Sequence, residues 1–470
     1  MNPTARKLTA LSLAAVMGLG LAACSGGSGN GDATGTASPT PGTTAEPTSY
    51  ADQIVVGITA EPKYIEPNAP GMGPAEVQVS QQIFEGLVRT GDDGSIEPVL
   101  ATDWTISDDG LTYTFNLVQG VKFSNGEDVE PSDWVWSFYR ARDYETSNYR
   151  YIAEAIDTVE ATDEQVVITL TEPNAAFLAE LGCFNMVLGD QSYAESMSDE
   201  EYLKNPIGTG PYVVTENVLG QYCVIERNDN YWGTPGIAKT FRFKVIPDAE
   251  TRYTALRAGE VQGLCDLGAI SPSQAAEIDG DPAYNVSVGD SGITHFLNVN
   301  GGAFPFNDVR MREGLSLLLD RQTIIDSFYN GYGLAAGGFL NYTSAFYREQ
   351  PVQHDPERGA ELIREVVGDQ EVELLFLLPG VDANRYPYQE EAEYIQSLLE
   401  NIEGTHIKVS IQQMDWGPCK EEMEAGNYNL CLKIQGLPSA NPFSLFKGFM
   451  YTEGGTNISY GLGYHNDHVR

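Results

Sequence analysis

Positive charge is scarce in this chain of 470 residues. Lys and Arg number 27 against 66 Asp and Glu, which gives a formal net charge of −39. Proteins that bind nucleic acids need clustered Lys and Arg against the phosphates, so the composition argues against that class. Histidine is also scarce, with five residues, and we find no HExxH motif, nucleophile elbow or P-loop. We therefore expect no catalytic residues, no metal site and no cofactor, and we expect that the protein is not an enzyme.

Long apolar runs are absent except for one, from Leu8 to Ala23. It is shorter than the ~20 residues that span a membrane. Arg6 and Lys7 precede it and Leu21-Ala22-Ala23-Cys24 closes it, which is the pattern of a secretory signal peptide. The closing motif resembles the lipobox of bacterial lipoproteins. That resemblance implies that residues 1–23 are removed, that Cys24 is lipidated, and that the protein is anchored outside the cytoplasm on the cell membrane. The alternative is an ordinary signal peptide with an incidental Cys.

Residues 24–49 contain almost no bulky apolar side chains. After Cys24 they consist almost wholly of Gly, Ser, Thr, Ala, Pro and a few acids. Such a segment cannot bury enough apolar area to fold. We predict a disordered tether, with a mean reach of about 25–30 Å for a flexible coil.

Cysteine is sparse, and the residues that follow Cys24 are odd in number: Cys183, Cys223, Cys265, Cys419 and Cys431. No Cys-x-x-Cys or Cys/His spacing suggests a metal site. Export would permit disulfides. Pairing of Cys183 with Cys223 or of Cys419 with Cys431 is compatible with the spacing, and buried free thiols are an equal alternative.

The body of the chain alternates between two hydrophobic periodicities, one typical of strands and one of helices. This pattern predicts a mixed α/β protein, and the length suggests two or three lobes at ~150 residues each. Strands are predicted at 53–58, 111–117, 166–170, 241–246, 372–378 and 407–412, and helices at 75–88, 131–140, 249–258, 308–329 and 390–399.

Several segments, taken in order, carry a family resemblance. They are Phe84-Glu85-Gly86-Leu87, 101–115, 121–133, Ile207-Gly208-Thr209-Gly210-Pro211-Tyr212, 227–232, 251–261 and 305–321. Together they resemble the extracytoplasmic solute-binding proteins of bacterial peptide ABC importers, which are solute-binding protein family 5, the oligopeptide/dipeptide/nickel class.

This resemblance implies a fold and a function. The fold would be an α/β, bilobal, type II periplasmic-binding-protein-like clamp with an extra inserted lobe. We expect lobe I at 50–75 and 188–292, the inserted lobe at 76–187, and lobe II at 293–470. The resemblance further implies that the end of lobe II is truncated. The protein would capture peptides outside the cell and deliver them to an ABC transporter permease.

The expected partners follow from that role. They are a peptide or other small solute, the permease subunits, and the membrane through the lipid anchor, with no nucleic acid and a monomeric state. Two alternatives stay open. The solute could be a nickel chelate, a sugar or an opine-like compound, or the protein could be a lipoprotein receptor that senses peptides.

The resemblance also implies ligand-binding residues. Ala60, Glu61 and Pro62 align with a family segment that lines the cleft with backbone groups. Trp416 matches a cleft tryptophan, with an ordinary core ring as the alternative, and Tyr149 matches a cleft tyrosine less closely.

One departure from the family pattern concerns the amino end of the ligand. Oligopeptide binders place an acid after a Gly-Trp pair, where it pairs with the peptide α-ammonium. In this chain, Gln435 occupies the position of the tryptophan, Pro438 that of the acid, and Asn441 that of a later acid. A buried ammonium without a carboxylate is costly. We therefore hypothesise that the protein does not read peptide N-termini in the usual way, with Glu61 as a candidate substitute acid.

Overall fold

The computed structural model describes residues 51–91, 95–147, 149–289, 292–340, 347–436, 443–451, 454–463 and 465. The expected signal peptide, the tether with Cys24, and the candidates Pro438 and Asn441 lie outside these residues. In the described part, strands and helices alternate along the chain. The strands are β1 Ala51–Ile58, β2 Val88–Thr90, β3 Ile96–Pro98, β4 Ala101–Ile106, β5 Thr112–Leu117, β6 Ile156–Ala161, β7 Gln165–Leu170, β8 Tyr212–Val218, β9 Tyr222–Arg227, β10 Ala238–Val245, β11 Gly263–Leu264, β12 Ile293–Val299, β13 Glu371–Pro379, β14 His406–Met414 and β15 Leu430–Gly436.

Helices connect and cover these strands. They are α1 Pro74–Ile83, α2 Pro131–Asp143, α3 Phe177–Leu181, α4 Gln191–Glu195, α5 Asp199–Lys204, α6 Ala249–Arg257, α7 Pro272–Ile278, α8 Val309–Leu318, α9 Arg321–Phe328, α10 Pro356–Val367, α11 Gly380–Ala383, α12 Tyr388–Glu400, α13 Trp416–Glu424, α14 Phe443–Met450 and α15 Gly455–Ser459. Among the described residues, none of these helices is long and apolar enough to cross a membrane.

Three larger sheets organise the described chain. Sheet 1 has the order β11-β1-β10-β9-β8, sheet 2 the order β4-β5-β7-β6, and sheet 3 the order β12-β15-β13-β14. In sheet 1, β1 runs parallel to β10 and β11. In sheet 3, β13 runs parallel to β14 and β15, and β12 runs antiparallel to β15. Sheet 2 is antiparallel throughout.

Each sheet buries its apolar residues in a cluster of its own. Phe241 and Phe243 of sheet 1 pack with Val79 and Ile83 of α1. Clusters of the same kind join sheet 2 to α2 and sheet 3 to α8, α10 and α12. Burial of aliphatic and aromatic side chains on strand faces and helix stripes is what the two periodicities predicted. The limits expected for the three lobes stay a prediction.

Two predicted helices differ from the structure. The helix predicted at 75–88 ends at Ile83, because Phe84 is extended and the chain then approaches another segment closely. A Cβ on Gly86 would lie 2.6 Å from the carbonyl oxygen of Met186, so this approach requires glycine. The helix predicted at 308–329 is divided into α8 and α9. Asp320 separates them because its carboxylate accepts hydrogen bonds from the first backbone N–H groups of α9.

The five described cysteines are free, buried thiols. Cys183 belongs to the cluster of sheet 2 and Cys223 to that of sheet 1, so the pairing considered for them is not formed. Burial raises the pKa of both thiols to about 12. Cys419 on α13 and Cys431 on β15 belong to one buried cluster, and both are free thiols, so the pairing considered for them is not formed either.

Candidate ligand-binding cleft

Two sheets present the carboxyl ends of their parallel strands to a common crevice. In sheet 1, these strands end at Ile58, Val245 and Leu264, and in sheet 3 they end at Pro379, Met414 and Gly436. The two edges meet where the loop after β11 reaches the segment after α11. A Cβ on Gly268 would lie only 2.7 Å from the Cβ of Arg385. Open α/β sheets bind ligands outside the carboxyl ends of their strands, so this crevice is the candidate site.

The wall formed by sheet 1 centres on Asp266. Its Oδ2 accepts a hydrogen bond from the backbone N–H of Thr59 at 3.1 Å and another from the Thr59 hydroxyl. Its Oδ1 accepts from the N–H of Leu267 at 2.6 Å. Asp266 has φ +132°, a region that residues other than glycine rarely adopt. Strained backbone of this kind concentrates at binding and active sites.

Arg252 of α6 fixes the two loops behind that wall. Its guanidinium donates to the carbonyls of Ile246 and Pro247 after β10, at 2.6 and 2.8 Å. It also donates to those of Gly268 and Ala269 after β11, at 3.0 and 2.8 Å. The side chain is 1 % exposed and its partners are neutral, so burial lowers its pKa. One arginine therefore sets the position of both loops at the cleft.

Aromatic side chains dominate one side of the sheet 3 wall. Trp416, at the start of α13, is half-buried and packs edge-on against Tyr460, with ring centroids 6.1 Å apart. The ammonium of Lys433 on β15 lies 4.3 Å from the centroid of the Trp416 ring and 5.5 Å from that of Tyr460. This is the geometry of a cation–π contact. The Trp416 ring thus borders the cleft edge and also packs on a buried cluster.

His295 on β12 lies on the other side of that wall. Solvent reaches its side chain, yet protein surrounds it on most sides, and the loss of hydration lowers its pKa to about 4. The Tyr388 hydroxyl lies 2.9 Å from Nδ1, and the Tyr386 ring centroid lies 4.5 Å from that of the imidazole. We assign the Tyr388 hydroxyl as the donor to Nδ1, which places the imidazole proton on Nε2.

A buried carboxylate stands behind His295. Oε2 of Glu391 accepts a hydrogen bond from the Tyr329 hydroxyl at 3.0 Å. Burial raises the pKa of Glu391 to about 7, because desolvation penalises its charged form more than the phenol stabilises it.

The segment of Ala60, Glu61 and Pro62 follows β1 at the cleft edge. The carbonyl of Pro62 already accepts a hydrogen bond from Nδ2 of Asn217 at 2.9 Å. The Glu61 carboxylate lies beside the turn between β8 and β9, 3.7 Å from the position of a Cβ on Gly220. These residues adjoin the cleft, but neither contact directs a group at the sheet 3 wall.

The other expected ligand residues are dispersed. Tyr149 packs edge-on against Phe184, with centroids 4.7 Å apart, in a cluster with Met72 and Leu203. Its carbonyl accepts a hydrogen bond from Asn185. Gln435 pairs with Thr294 across β15 and β12, so it lies at the cleft end of sheet 3.

Sequence reasoning missed most of the polar cleft residues. The sequence analysis does not name Asp266, Asp382, Arg385 or Lys433, and it uses Arg252 only as part of segment 251–261, which carries the family resemblance. For Asp266 and Asp382 the available signal was position just beyond the end of a strand, whereas Lys433 lies within β15 and Arg252 within α6. In the described part of the chain, no group of three or more His, Cys, Asp or Glu side chains is placed to hold a metal ion.

Comparison with known proteins identifies the family. The family model of bacterial extracellular solute-binding proteins, family 5 (middle), matches residues 95–457. The chain belongs to this family. Among curated relatives, the nickel-binding periplasmic protein of Escherichia coli is 32 % identical over 65 % of this chain and 60 % of its own length. The dipeptide-binding protein of Escherichia coli is 28 % identical over 74 % of this chain and 69 % of its own length. The chain thus spans under two thirds of the nickel-binding relative.

Solved structures agree on the fold. NikA from Brucella suis with Fe(III)-EDTA has a TM-score of 0.76 at 23 % identity, covering 87 % of this chain and 84 % of that one. CtaP from Listeria monocytogenes has a TM-score of 0.77 at 23 % identity, covering 89 % and 85 %. The family 5 protein therefore has the mixed α/β composition that the periodicities predicted and the bilobal type II architecture that the resemblance implied.

Proposed function

We propose that this family 5 protein captures peptides outside the cell and delivers them to the permease of an ABC importer. The observation that carries the proposal is the crevice in which the carboxyl ends of sheets 1 and 3 meet at Gly268 and Arg385. Closure of two such walls over a ligand is a hinge motion known in binding proteins. Extended peptides are held by backbone hydrogen bonds along strand edges, which two facing sheets can provide.

The peptide assignment draws on the dipeptide-binding relative, which aligns with 74 % of this chain. The cleft contains a strained aspartate, a lysine over aromatic rings and a neutral imidazole. It presents binding groups, and we assign it a role in capture and not in catalysis. We further propose that the mature protein begins at a lipidated Cys24 and is a monomer held at the cell membrane.

A non-peptide solute is the second candidate. The nickel-binding protein of Escherichia coli and heme-binding protein A of Haemophilus influenzae are each 32 % identical to this chain in their matched parts. The missing acid at Pro438 and Asn441 gives this candidate a specific basis. Under it, the importer role is kept and the solute is a metal chelate, a sugar or an opine-like compound.

Mass spectrometry of the solute that co-purifies with the full-length protein tests the proposal directly. The protein is isolated from its own cell membrane, denatured, and the released small molecules are compared with those from a Trp416→Ala variant. Peptides enriched with the wild type support the proposal. A single non-peptide compound would replace it with the second candidate, and an empty cleft in both preparations would refute solute capture.

Two further measurements separate the finer parts of the proposal. The mass of the N-terminal peptide shows whether Cys24 carries lipid, with Cys24→Ser as the control that should be released from membranes. Loss of peptide uptake in a strain lacking this gene supports an importer component. Unchanged uptake with an altered response to peptide would assign the protein to sensing.

A further inference from the structure

Aromatic rings are concentrated on one face of sheet 3, at its cleft end. Phe296 of β12 pairs with Lys433 of β15, close to the point where β15 ends at Gly436 in the cleft. Residues that pair directly across two strands point to the same face of a sheet. On that face, the Lys433 ammonium lies over the rings of Trp416 and Tyr460. The aromatic residues of this face therefore border the cleft.

The rings on this face form one connected cluster. Phe449 of α14 is its centre and is only 6 % exposed. The ring centroid of Phe449 lies 5.4 Å from that of Phe339, 6.1 Å from that of Phe296 and 6.2 Å from that of Tyr460. Phe339 also contacts Phe446, with centroids 5.6 Å apart. We call the connected rings the six-ring cluster: Phe296, Phe339, Trp416, Phe446, Phe449 and Tyr460.

Most of the six-ring cluster is accessible to solvent. Phe446 is 39 % exposed, and Phe296, Phe339, Trp416 and Tyr460 are half-buried. A contiguous apolar surface of this kind on a soluble protein marks a binding groove. The rings hold one another in place, so they present a preformed surface that loses little conformational entropy when a ligand binds.

The chemistry of the six-ring cluster determines which ligand group it suits. Four of its members are phenylalanines, so a polar ligand side chain placed against them would lose its hydration without gaining hydrogen bonds. Neighbouring rings meet edge-on, with an angle of 88° between Phe339 and Phe446. Aromatic rings prefer this arrangement, and a further ring can extend it. An aliphatic side chain would fill the same space without the interactions between ring edges and ring faces.

We propose that the six-ring cluster binds an aromatic side chain of the ligand, so that this protein selects peptides that contain phenylalanine, tyrosine or tryptophan. This inference rests on the peptide function proposed above and specifies the substrate class. Phe446, the most exposed member, and its neighbour Phe339 form the contact surface. The ligand ring is buried there against apolar carbon and excludes water from both.

Three sets of tripeptides test the proposal. Each set places phenylalanine, leucine or serine at each of the three positions in turn, with alanine elsewhere and the same free ends. Isothermal titration calorimetry with the purified, ligand-stripped protein gives the affinities. The best phenylalanine peptide should bind about tenfold more tightly than the best serine peptide and about threefold more tightly than the best leucine peptide.

The outcomes separate this inference from the peptide function. If the best serine or the best leucine peptide binds as tightly as the best phenylalanine peptide, the inference is wrong while the peptide function stands. If none of the peptides binds, the peptide function fails and this inference fails with it.

A matched pair of variants locates the effect. Phe339→Leu keeps an apolar side chain but removes the ring that contacts three others. The affinity for the best phenylalanine peptide should fall about fivefold, with no change for the best serine peptide. Phe304→Leu removes a ring that is 45 % exposed beyond the other end of β12 and should change neither affinity.

Two results would overturn the role of the six-ring cluster. One is an equal affinity of both variants for the phenylalanine peptide. The other is an equal loss for the phenylalanine and serine peptides in Phe339→Leu, because that would show general damage to the cleft. Circular dichroism checks that both variants are folded.

Discussion

Gly268 and Arg385 bring the two walls of the cleft into direct contact. The backbone at Gly268 has φ +70°, and the side chain of Arg385 fills the space where a Cβ would stand. The two residues come from the loop after β11 and from the segment after α11, so this contact connects the carboxyl edges of sheets 1 and 3. Any side chain on Gly268 would have to separate those edges.

We expect Gly268→Ala to weaken solute binding about tenfold. The added methyl group would clash with Arg385 when the two walls are in contact, so it would destabilise the closed state and leave the open state unchanged. Isothermal titration calorimetry with the co-purified solute measures this. Gly259→Ala is the matched control, since Gly259 has φ +74° in the same part of the chain but nothing within 4 Å of its Cβ position. Both variants carry similar backbone strain, so equal affinities would show that the contact with Arg385 has no role in closure.

Arg252→Met should destabilise the protein by about 3 kcal/mol, because four carbonyls lose a charged donor in a buried place. Urea unfolding measures the change. Arg257→Met, on the same helix, removes an exposed guanidinium that pairs with Glu277 and should cost less than about 1 kcal/mol. A loss for Arg252→Met no larger than that of the control would contradict the role assigned to its hydrogen bonds.

Glu391 should make stability fall as pH rises. Its pKa is about 4.5 when unfolded and about 7 when folded, so the folded state binds the extra proton between these values. Stability contributed by the neutral carboxyl is full below pH 4.5 and is lost as pH rises to 7, by about 3 kcal/mol. Glu391→Gln should therefore match the wild type at pH 4.5 and exceed it at pH 8. Glu390→Gln, exposed on the same helix, is the control, and a constant difference across pH would refute the prediction.

His295 opposes this trend over part of the same range. Its pKa is depressed to about 4, so the unfolded state binds the extra proton between about pH 4 and 6.5, and stability rises with pH there. The two slopes have opposite signs between pH 4.5 and 6.5. In His295→Gln only the Glu391 slope remains, so unfolding free energies should decline more steeply over that window than in the wild type. If the slope is the same as in the wild type, His295 does not contribute to the pH dependence of stability in this window.

The fold was largely predictable from sequence, and the site was not. Buried and less buried residues alternate along β5, and β13 is mostly apolar. Both patterns can be recognised from the local sequence alone. The division of α8 from α9 depends on one capping side chain, and the end of α1 on a close approach to Met186. A window of residues around Ile83 does not contain Met186, and apolar spacing alone does not register the Asp320 cap, so local periodicity extends both helices too far.

The contacts between cleft residues could not be predicted from the sequence for a related reason. Arg252 and Gly268 meet through hydrogen bonds across sixteen residues, and Lys433 meets Trp416 across seventeen. Trp416 was predicted through the family resemblance, and its role in ligand binding stays a prediction. Oδ2 of Asp382 is buried and has no hydrogen-bond partner in the described part of the chain, which is a property of the folded protein, since in the sequence this residue is one of 66 acids.

Trp416 should report solute binding through its fluorescence. The other tryptophans, Trp104, Trp134, Trp136 and Trp232, lie before β10 in the chain, so Trp416 alone belongs to the sheet 3 wall. Its ring lies 4.3 Å from the Lys433 ammonium, and a ligand that draws this charge away changes the field at the indole. Addition of the co-purified solute should shift wild-type emission, and Trp416→Phe should abolish the shift while calorimetry still detects binding. Trp232→Phe is the control and should keep the shift; if it is lost there and retained in Trp416→Phe, the ligand lies away from this wall.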